Sequence, residues 1–208
     1  MEHDVFVDAG AHFGYFSLLA HRLGCHVVAF EASAATFSVL QKNCADLPRC
    51  DIQRVALSNQ LGEITFYEFP GSYSEYNTTD VTPYFGQDWF AKVKGVSSTV
   101  PATSLDAFFT GRNTERIDCI KLDVEGHEWE VLKGAEHILT TCNPVVIMEY
   151  HTGKPDGAHV QAVRWMAEKG YRAFVIQADG DLRPCFQPEI MLNPAKTDSE
   201  NLVFMKTR

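Results

Sequence analysis

Short apolar runs alternate with helical patterns along most of this chain, and their order defines the expected fold. Val5-Phe6-Val7 is a buried-strand pattern closed by Asp8, after which the chain turns through Gly10 and Gly14. Phe16, Leu19, Ala20 and Leu23 then recur at the spacing of one helix face. Past Gly24, the run His26-Val27-Val28-Ala29-Phe30 is a second strand with Glu31 at its end. Residues 34–45 carry Phe37, Leu40 and Cys44 at helical spacing with Pro48 beyond, and residues 51–57 form a third strand ending at Ser58-Asn59. Gly62 to Phe69 alternates as a strand expected to add antiparallel in hairpin fashion.

The second half repeats the alternation. Val96 to Val100 is a short strand followed by a turn through Pro101, and a helix is expected over 105–109. Residues 117–123 read as a central strand with a turn at Gly126, then one helix over 128–139 with Val131, Leu132, Ala135 and Ile138 on one face. A buried strand over 144–151 precedes a helix at 157–169 closed by Gly170. Strands at 171–176 and 201–205 end the chain, with the polar, proline-bearing stretch 177–200 between them expected as a loop. This order predicts a single α/β domain over 1–208, a Rossmann-like doubly wound fold with a mainly parallel sheet and an antiparallel C-terminal edge.

Between Pro70 and Gly95 the periodicity breaks down: Ser72, Ser74, Asn77, Thr78, Thr79 and Thr82 mingle with Tyr73, Tyr76, Tyr84, Phe85, Trp89 and Phe90. A loop of that length in a compact domain is uncommon without a task. Two readings stand: a lid of aromatics and hydroxyls over a polyol substrate, or a satellite aromatic cluster pinning a surface loop.

The first strand, glycine turn and helix form a ligand-binding unit in which Gly permits close backbone approach and the helix start presents unpaired N–H groups. An acid at the end of the second strand, Glu31, suits the two hydroxyls of a ribose. The loop is D-x-G-x-x-x-G rather than G-x-G-x-x-G, and the Asp8 carboxylate would repel a pyrophosphate. It would welcome a cationic ligand. S-adenosylmethionine carries an ammonium, a sulfonium and a ribose.

At these residues the chain resembles the class I S-adenosylmethionine-dependent methyltransferases. The stretches VALSNQLGEITFYEF, VPATSLDAFF and IDCIKLDVEGHEWEVLKGAEHIL narrow the resemblance to the FkbM-like family, from about Val5 to His151. The resemblance implies S-adenosylmethionine as cofactor and O-methylation of a small hydroxylated acceptor, such as a sugar or a natural-product intermediate. It implies cofactor contacts from Asp8, Gly10, His12, Gly14, Tyr15, Phe16, Glu31, Ala32, Val55 and Ala56, the last two against the adenine, and it places the L-D-x-E-G segment at the active-site edge. It also implies a segment ahead of the first strand that helps build one wall of the acceptor pocket, whereas here only four residues precede Val5.

Acceptor chemistry is expected at the ends of the later strands, where Asp123, Glu125, His127, Glu149 and His151 stand. An alcohol acceptor must lose its proton, so a base near the methyl helps. Asp123 and Glu125 are the residues assigned, with no choice between them as the base. Asp123, as an acid ending a buried strand, needs a partner or a task, and the resemblance places the segment holding both at the active-site edge. Bland roles compete: Glu125 as a cap for the next helix, His127 and His151 as solvated residues, Glu149 as a paired acid. No required metal is assigned, since Val131 stands where H-E-x-x-H needs its second His.

Composition removes several classes. The 208 residues are 45% hydrophobic and 22% charged, within the range of ordinary globular domains. A net charge of −9 with no lysine or arginine run gives no footprint for nucleic acid or an anionic membrane. The six cysteines lack C-x-x-C spacing and are expected as reduced, buried thiols, no stretch of 18 apolar residues occurs, and a cytoplasmic protein is expected. The sequon at Asn77-Thr78-Thr79 is taken as chance. Two rivals share the scaffold: a nicotinamide-dependent oxidoreductase, disfavoured by the glycine set, and a non-catalytic binding module.

Overall fold

The computed structural model of the chain describes residues 4–112, 116–152, 157–192 and 199–206. The elements run β1 (Val5–Ala9), α1 (Tyr15–Arg22), β2 (His26–Phe30), α2 (Ala34–Cys44), β3 (Cys50–Gln53), β4 (Ala56–Leu57), β5 (Gly62–Glu68) and β6 (Val96–Thr103). They continue with α3 (Leu105–Phe109), β7 (Cys119–Leu122), α4 (Glu128–Lys133), α5 (Glu136–Thr141), β8 (Val145–His151), α6 (Ala158–Glu168), β9 (Tyr171–Ile176), β10 (Leu182–Pro184), α7 (Pro188–Met191) and β11 (Ser199–Lys206).

The main sheet has eight strands in the order β10-β9-β11-β8-β7-β1-β2-β3. The five strands from β8 to β3 are parallel, and β11, β9 and β10 close the other edge antiparallel. Strand order reverses between β1 and β7: β1 leads outward to β2 and β3, while β7 leads to β8. A crevice forms at such a switch point, at the carboxyl ends of the strands.

The pleat of β1 and β2 sends alternate residues to opposite faces. Val7, Ala9, Val28 and Phe30 join the large core, together with Leu122, Val146, Met148, Leu132 and Met166. Val27 and Ala29 join a smaller core under α1 and α2 with Ala20, Leu40 and Cys44. None of the cysteines is in a disulfide.

Several elements depart from their sequence expectation. Of the apolar stripe on α1 only Ala20 is buried; Phe16, Leu19 and Leu23 are 42%, 44% and 50% exposed. The helix instead lays Ser17 and Ala20 on the sheet, and its start abuts α2: a Cβ on Gly14 would stand 2.7 Å from Leu40 Cδ1. The expected third strand breaks at Arg54-Val55, and β4 leaves the main sheet for a three-stranded one, β4-β6-β5. There β5 pairs antiparallel with β6 across the long loop, and β6 runs on past Pro101 to Thr103.

The helix expected over 128–139 is two helices. The backbone passes Gly134 so close to β4 that a Cβ would lie 2.1 Å from the Ser58 carbonyl oxygen, and Asp106 caps the restart by accepting from His137 N at 2.9 Å and Ile138 N at 3.0 Å. The T-S-L-D step is therefore a double cap here, since Ser104 Oγ also accepts from Ala107 N at 3.1 Å. The stretch 177–200, expected as loop, contains β10 and α7.

Candidate active site

A tight turn follows β1. Gly10 has φ +79°, and its backbone packs against the end of β7 so closely that a Cβ would sit 1.8 Å from the Asp123 carbonyl oxygen. Gly14, at φ +90°, stands at the start of α1. Glu31 ties this turn to β2. Its Oε2 accepts from His12 N at 2.9 Å and its Oε1 from Ser33 N at 2.8 Å. Burial pushes the Glu31 carboxyl up to about 7, although both N–H donors favour the anion.

A cavity of about 300 Å³ opens beside this turn, within the size range of small-molecule sites. Of the ten residues the sequence assigns to the cofactor, Gly10, His12, Tyr15, Phe16, Glu31, Ala32, Val55 and Ala56 line it. Asp8 and Gly14 do not. Asp8 lies beneath the turn, 1% exposed, where it accepts from Ser17 Oγ at 2.6 Å, and its other oxygen, Oδ1, has no hydrogen-bond partner. Burial raises its pKa and the nearby Lys121 charge opposes the rise. Asp8 is thus an internal brace between β1 and α1 rather than part of the wall. Leu57 and Phe66 extend the apolar side formed by Val55, Ala56 and Ala32.

Asp123 and Glu125 line the same cavity from the turn after β7. Asp123 pairs with a residue not singled out from the sequence: Lys121, 5% exposed, whose Nζ lies 2.8 Å from Asp123 Oδ2 and 4.7 Å from the centre of the Phe16 ring. Its signal was present as a lysine inside the apolar run Cys119-Ile120-Lys121-Leu122, an expensive place for a charge without a partner. Glu125 adopts φ +53° and accepts from Tyr84 OH at 3.3 Å. Burial first, then the charges of Glu149, Asp123 and Glu128, push its carboxyl up to about 9, so it holds a proton at neutral pH.

Glu125 is not the cap of the following helix. The helix start, at His127, has no side-chain cap; Glu128 instead braces the turn before it, its Oε1 accepting from Val124 N at 3.0 Å and Gly126 N at 3.2 Å. His127 is not a solvated first-turn residue either: its ring bridges Thr79 Oγ1 at 2.9 Å and Ser58 Oγ at 3.1 Å, and burial lowers its pKa. A neutral ring donates from one nitrogen and accepts at the other, which ties the loop, the end of β4 and the β7 turn together.

The 70–95 loop carries an aromatic cluster and also borders the cavity. Trp89 stacks on Tyr76 and Tyr73 at 4.5 and 5.4 Å between centroids, pinning the loop with an aromatic cluster. Its polar side, Ser74, Glu75, Asn77 and Thr79, lines the cavity, with Ser74 Oγ 3.2 Å from His12 Nε2.

Comparison with known proteins accords with this layout. The profile of the methyltransferase FkbM domain matches residues 8–173. The chain belongs to the FkbM methyltransferase family. Among its relatives is the hexuronic acid methyltransferase AglP of Haloferax volcanii, 32% identical over 153 residues, which are 73% of this chain and 58% of AglP. Methyltransferase 1 of Beauveria bassiana is 29% identical over 189 residues, 83% of this chain and 74% of that protein. The chain thus spans little more than half of AglP. A solved FkbM methyltransferase from Methylobacillus flagellatus superimposes with a TM-score of 0.57 at 12% identity, over 98% of this chain and 44% of that one. The fold is that of the class I methyltransferases. No helix among the described residues is long and apolar enough to cross a membrane.

The raised carboxyls have a consequence for stability in this FkbM domain. Glu31 and Glu128 sit at about 7 and Glu125 at about 9, all above their unfolded value of 4.5. A group raised on folding stabilises fully below its unfolded pKa and loses that contribution as pH rises through the folded one. The melting temperature of the ligand-free chain is therefore expected to fall from about pH 5 to about pH 9, each fully buried acid contributing on the order of 3 kcal/mol. Glu128→Gln retains the single oxygen that accepts both N–H groups and should flatten the fall between pH 5 and 7 by one group's share. An unchanged slope in thermal unfolding of that variant would remove Glu128 as a source.

Proposed function

We propose that this chain is an S-adenosylmethionine-dependent O-methyltransferase that acts on a hydroxyl of a small acceptor of the sugar or uronic acid kind. The observation that carries the reading is Glu31. Its carboxylate is held by two backbone N–H groups at the lip of a cavity whose floor, at Gly10, admits no side chain. Each oxygen keeps a lone pair for a ribose hydroxyl. The apolar side at Val55, Ala56 and Leu57 suits a purine face, and the Asp123 and Glu125 end of the same cavity suits the cationic part of the ligand. The family, the hexuronic acid methyltransferase activity of the relative AglP and the hydroxyl-bearing loop support a polyol acceptor.

S-adenosylmethionine, when bound, supplies a methyl carbon activated by a sulfonium leaving group. The protein's share is alignment and proton handling. In the overall exchange the acceptor O–H loses its proton, an O–C bond forms and the S–C bond breaks with its electron pair going to sulfur. Asp123, paired with Lys121 at 2.8 Å, is placed to accept that proton, whereas Glu125 holds one at neutral pH and is placed to donate a hydrogen bond. His12 and Ser74 present polar atoms on the loop side.

The test is calorimetric titration of the purified chain with S-adenosylmethionine, S-adenosylhomocysteine and NAD in turn. Binding of the first two and not the third is expected, followed by methyl transfer to a panel of sugars and uronic acids. Binding of NAD alone would replace this reading with an oxidoreductase. Cofactor binding without turnover on any hydroxylated acceptor would leave a binding module.

A further inference from the structure

Beyond Glu125, away from the ribose end, the strand ends bring together three groups that the reaction outlined above does not use as a set. Glu149 and His151 are two residues apart at the end of β8, so they fall on one side of the sheet. β7 runs parallel beside β8, and its terminal turn carries Glu125 to the same place. One ligand atom from each of Glu125, Glu149 and His151 lies within 4.8 Å of the others. Glu149 Oε2 stands 3.5 Å from His151 Nε2, is closed off from solvent and accepts no hydrogen bond. Lys121, the lysine on β7, is paired with Asp123 instead. The group opens on a second cavity of about 210 Å³, bordered by Asp80, Tyr84 and His151, and Glu125 lines both cavities.

We propose that Glu125, Glu149 and His151 form a binding site for a divalent transition-metal cation of the Mn²⁺ or Zn²⁺ kind, at the partition between the two cavities. Two carboxylates and an imidazole are a hard-to-borderline donor set: the imidazole disfavours Ca²⁺ and Mg²⁺, and the lack of thiolate disfavours soft ions. A cation central to three atoms 4.8 Å apart is about 2.8 Å from each, and small side-chain rotations bring it to the ~2.1 Å of carboxylate and imidazole ligation. Three protein ligands leave positions open, and the second cavity is where an acceptor's oxygens would reach them. This last role rests on the reading under Proposed function; the cation site itself does not. A helical spacing test such as H-E-x-x-H is blind to it, because the ligands come from two neighbouring strand ends.

Electron paramagnetic resonance titration of the cofactor-free chain with Mn²⁺, with Zn²⁺ as competitor, tests the site directly. One Mn²⁺ per chain is expected, displaced by Zn²⁺, with a ¹⁴N coupling in the spin-echo spectrum from the His151 ring. Glu149→Gln and His151→Ala are each expected to lower Mn²⁺ affinity by at least about tenfold, with S-adenosylhomocysteine binding within about twofold of the parent. Absence of bound Mn²⁺ at about 1 mM, or binding with no ¹⁴N coupling, overturns the proposal without recourse to any variant's folding. Because S-adenosylhomocysteine is titrated separately, loss of the cation site and loss of the cofactor reading give different results.

Discussion

Glu31→Ala is expected to weaken S-adenosylhomocysteine binding by a hundredfold or more, on the order of 3 kcal/mol or above. Two charge-assisted bonds to the ribose would be lost, each worth ~1.5 to 3 kcal/mol. The same change strips the acceptor from His12 N and Ser33 N, which the carboxylate holds at 2.9 and 2.8 Å, so the glycine turn loses its tie to β2. A pH signature separates the two effects. The Glu31 carboxyl sits at about 7 in the ligand-free chain, and hydroxyl donors favour its ionised form, so wild-type affinity should rise about tenfold from pH 6 to pH 8. That rise should vanish in Glu31→Ala. Calorimetry at the two pH values decides the matter, and equal affinity for wild type and variant would refute the ribose assignment.

Gly10→Ala is expected to be the most damaging single methyl in the chain. The added Cβ would lie 1.8 Å from the Asp123 carbonyl oxygen, a backbone atom in the neighbouring turn that cannot rotate away, and 3.3 Å from Val124 Cγ1. The residue must also hold φ +79°, which costs an L side chain ~1 to 2 kcal/mol by itself. Gly170 separates the terms, since it has φ +85° with no atom within 4 Å of its would-be Cβ. Gly170→Ala should therefore cost only the conformational ~1 to 2 kcal/mol. Gly10→Ala should cost several kcal/mol more, as a large drop in the denaturation midpoint or failure to fold, because β1 and β7 must part to admit it. Similar midpoints for the two variants would show that the turn has slack that the packing denies.

Much of this was legible along the chain. Strand, glycine turn, helix and strand-end acid appear in order between Val5 and Glu31, because period-2 and period-3.6 patterns report local burial and because Gly is favoured where φ is positive. The C-terminal strands that turn the sheet antiparallel were visible for the same reason. Asp8 shows the limit of such reading. A carboxylate beside a glycine turn has the chemistry to meet a cationic ligand, yet it points to Ser17 beneath the sheet, because pleat parity puts it on the face opposite Val7 and Ala9.

The sequence by itself determined the order of the main strands and helices and the resemblance to the FkbM-like family. Tertiary structure decided which side of each element faces what. It turned most of the apolar stripe of α1 outward and buried Ser17 and Ala20 instead. It diverted Ala56–Leu57 into a second sheet and split the helix after Glu128 where Gly134 passes Ser58. It brought Glu149 with His151 to Glu125 across adjacent parallel strands. The physical reason is common to all of these: periodicity records how often a residue is buried, whereas its neighbour is set by register and close approach between elements distant in sequence.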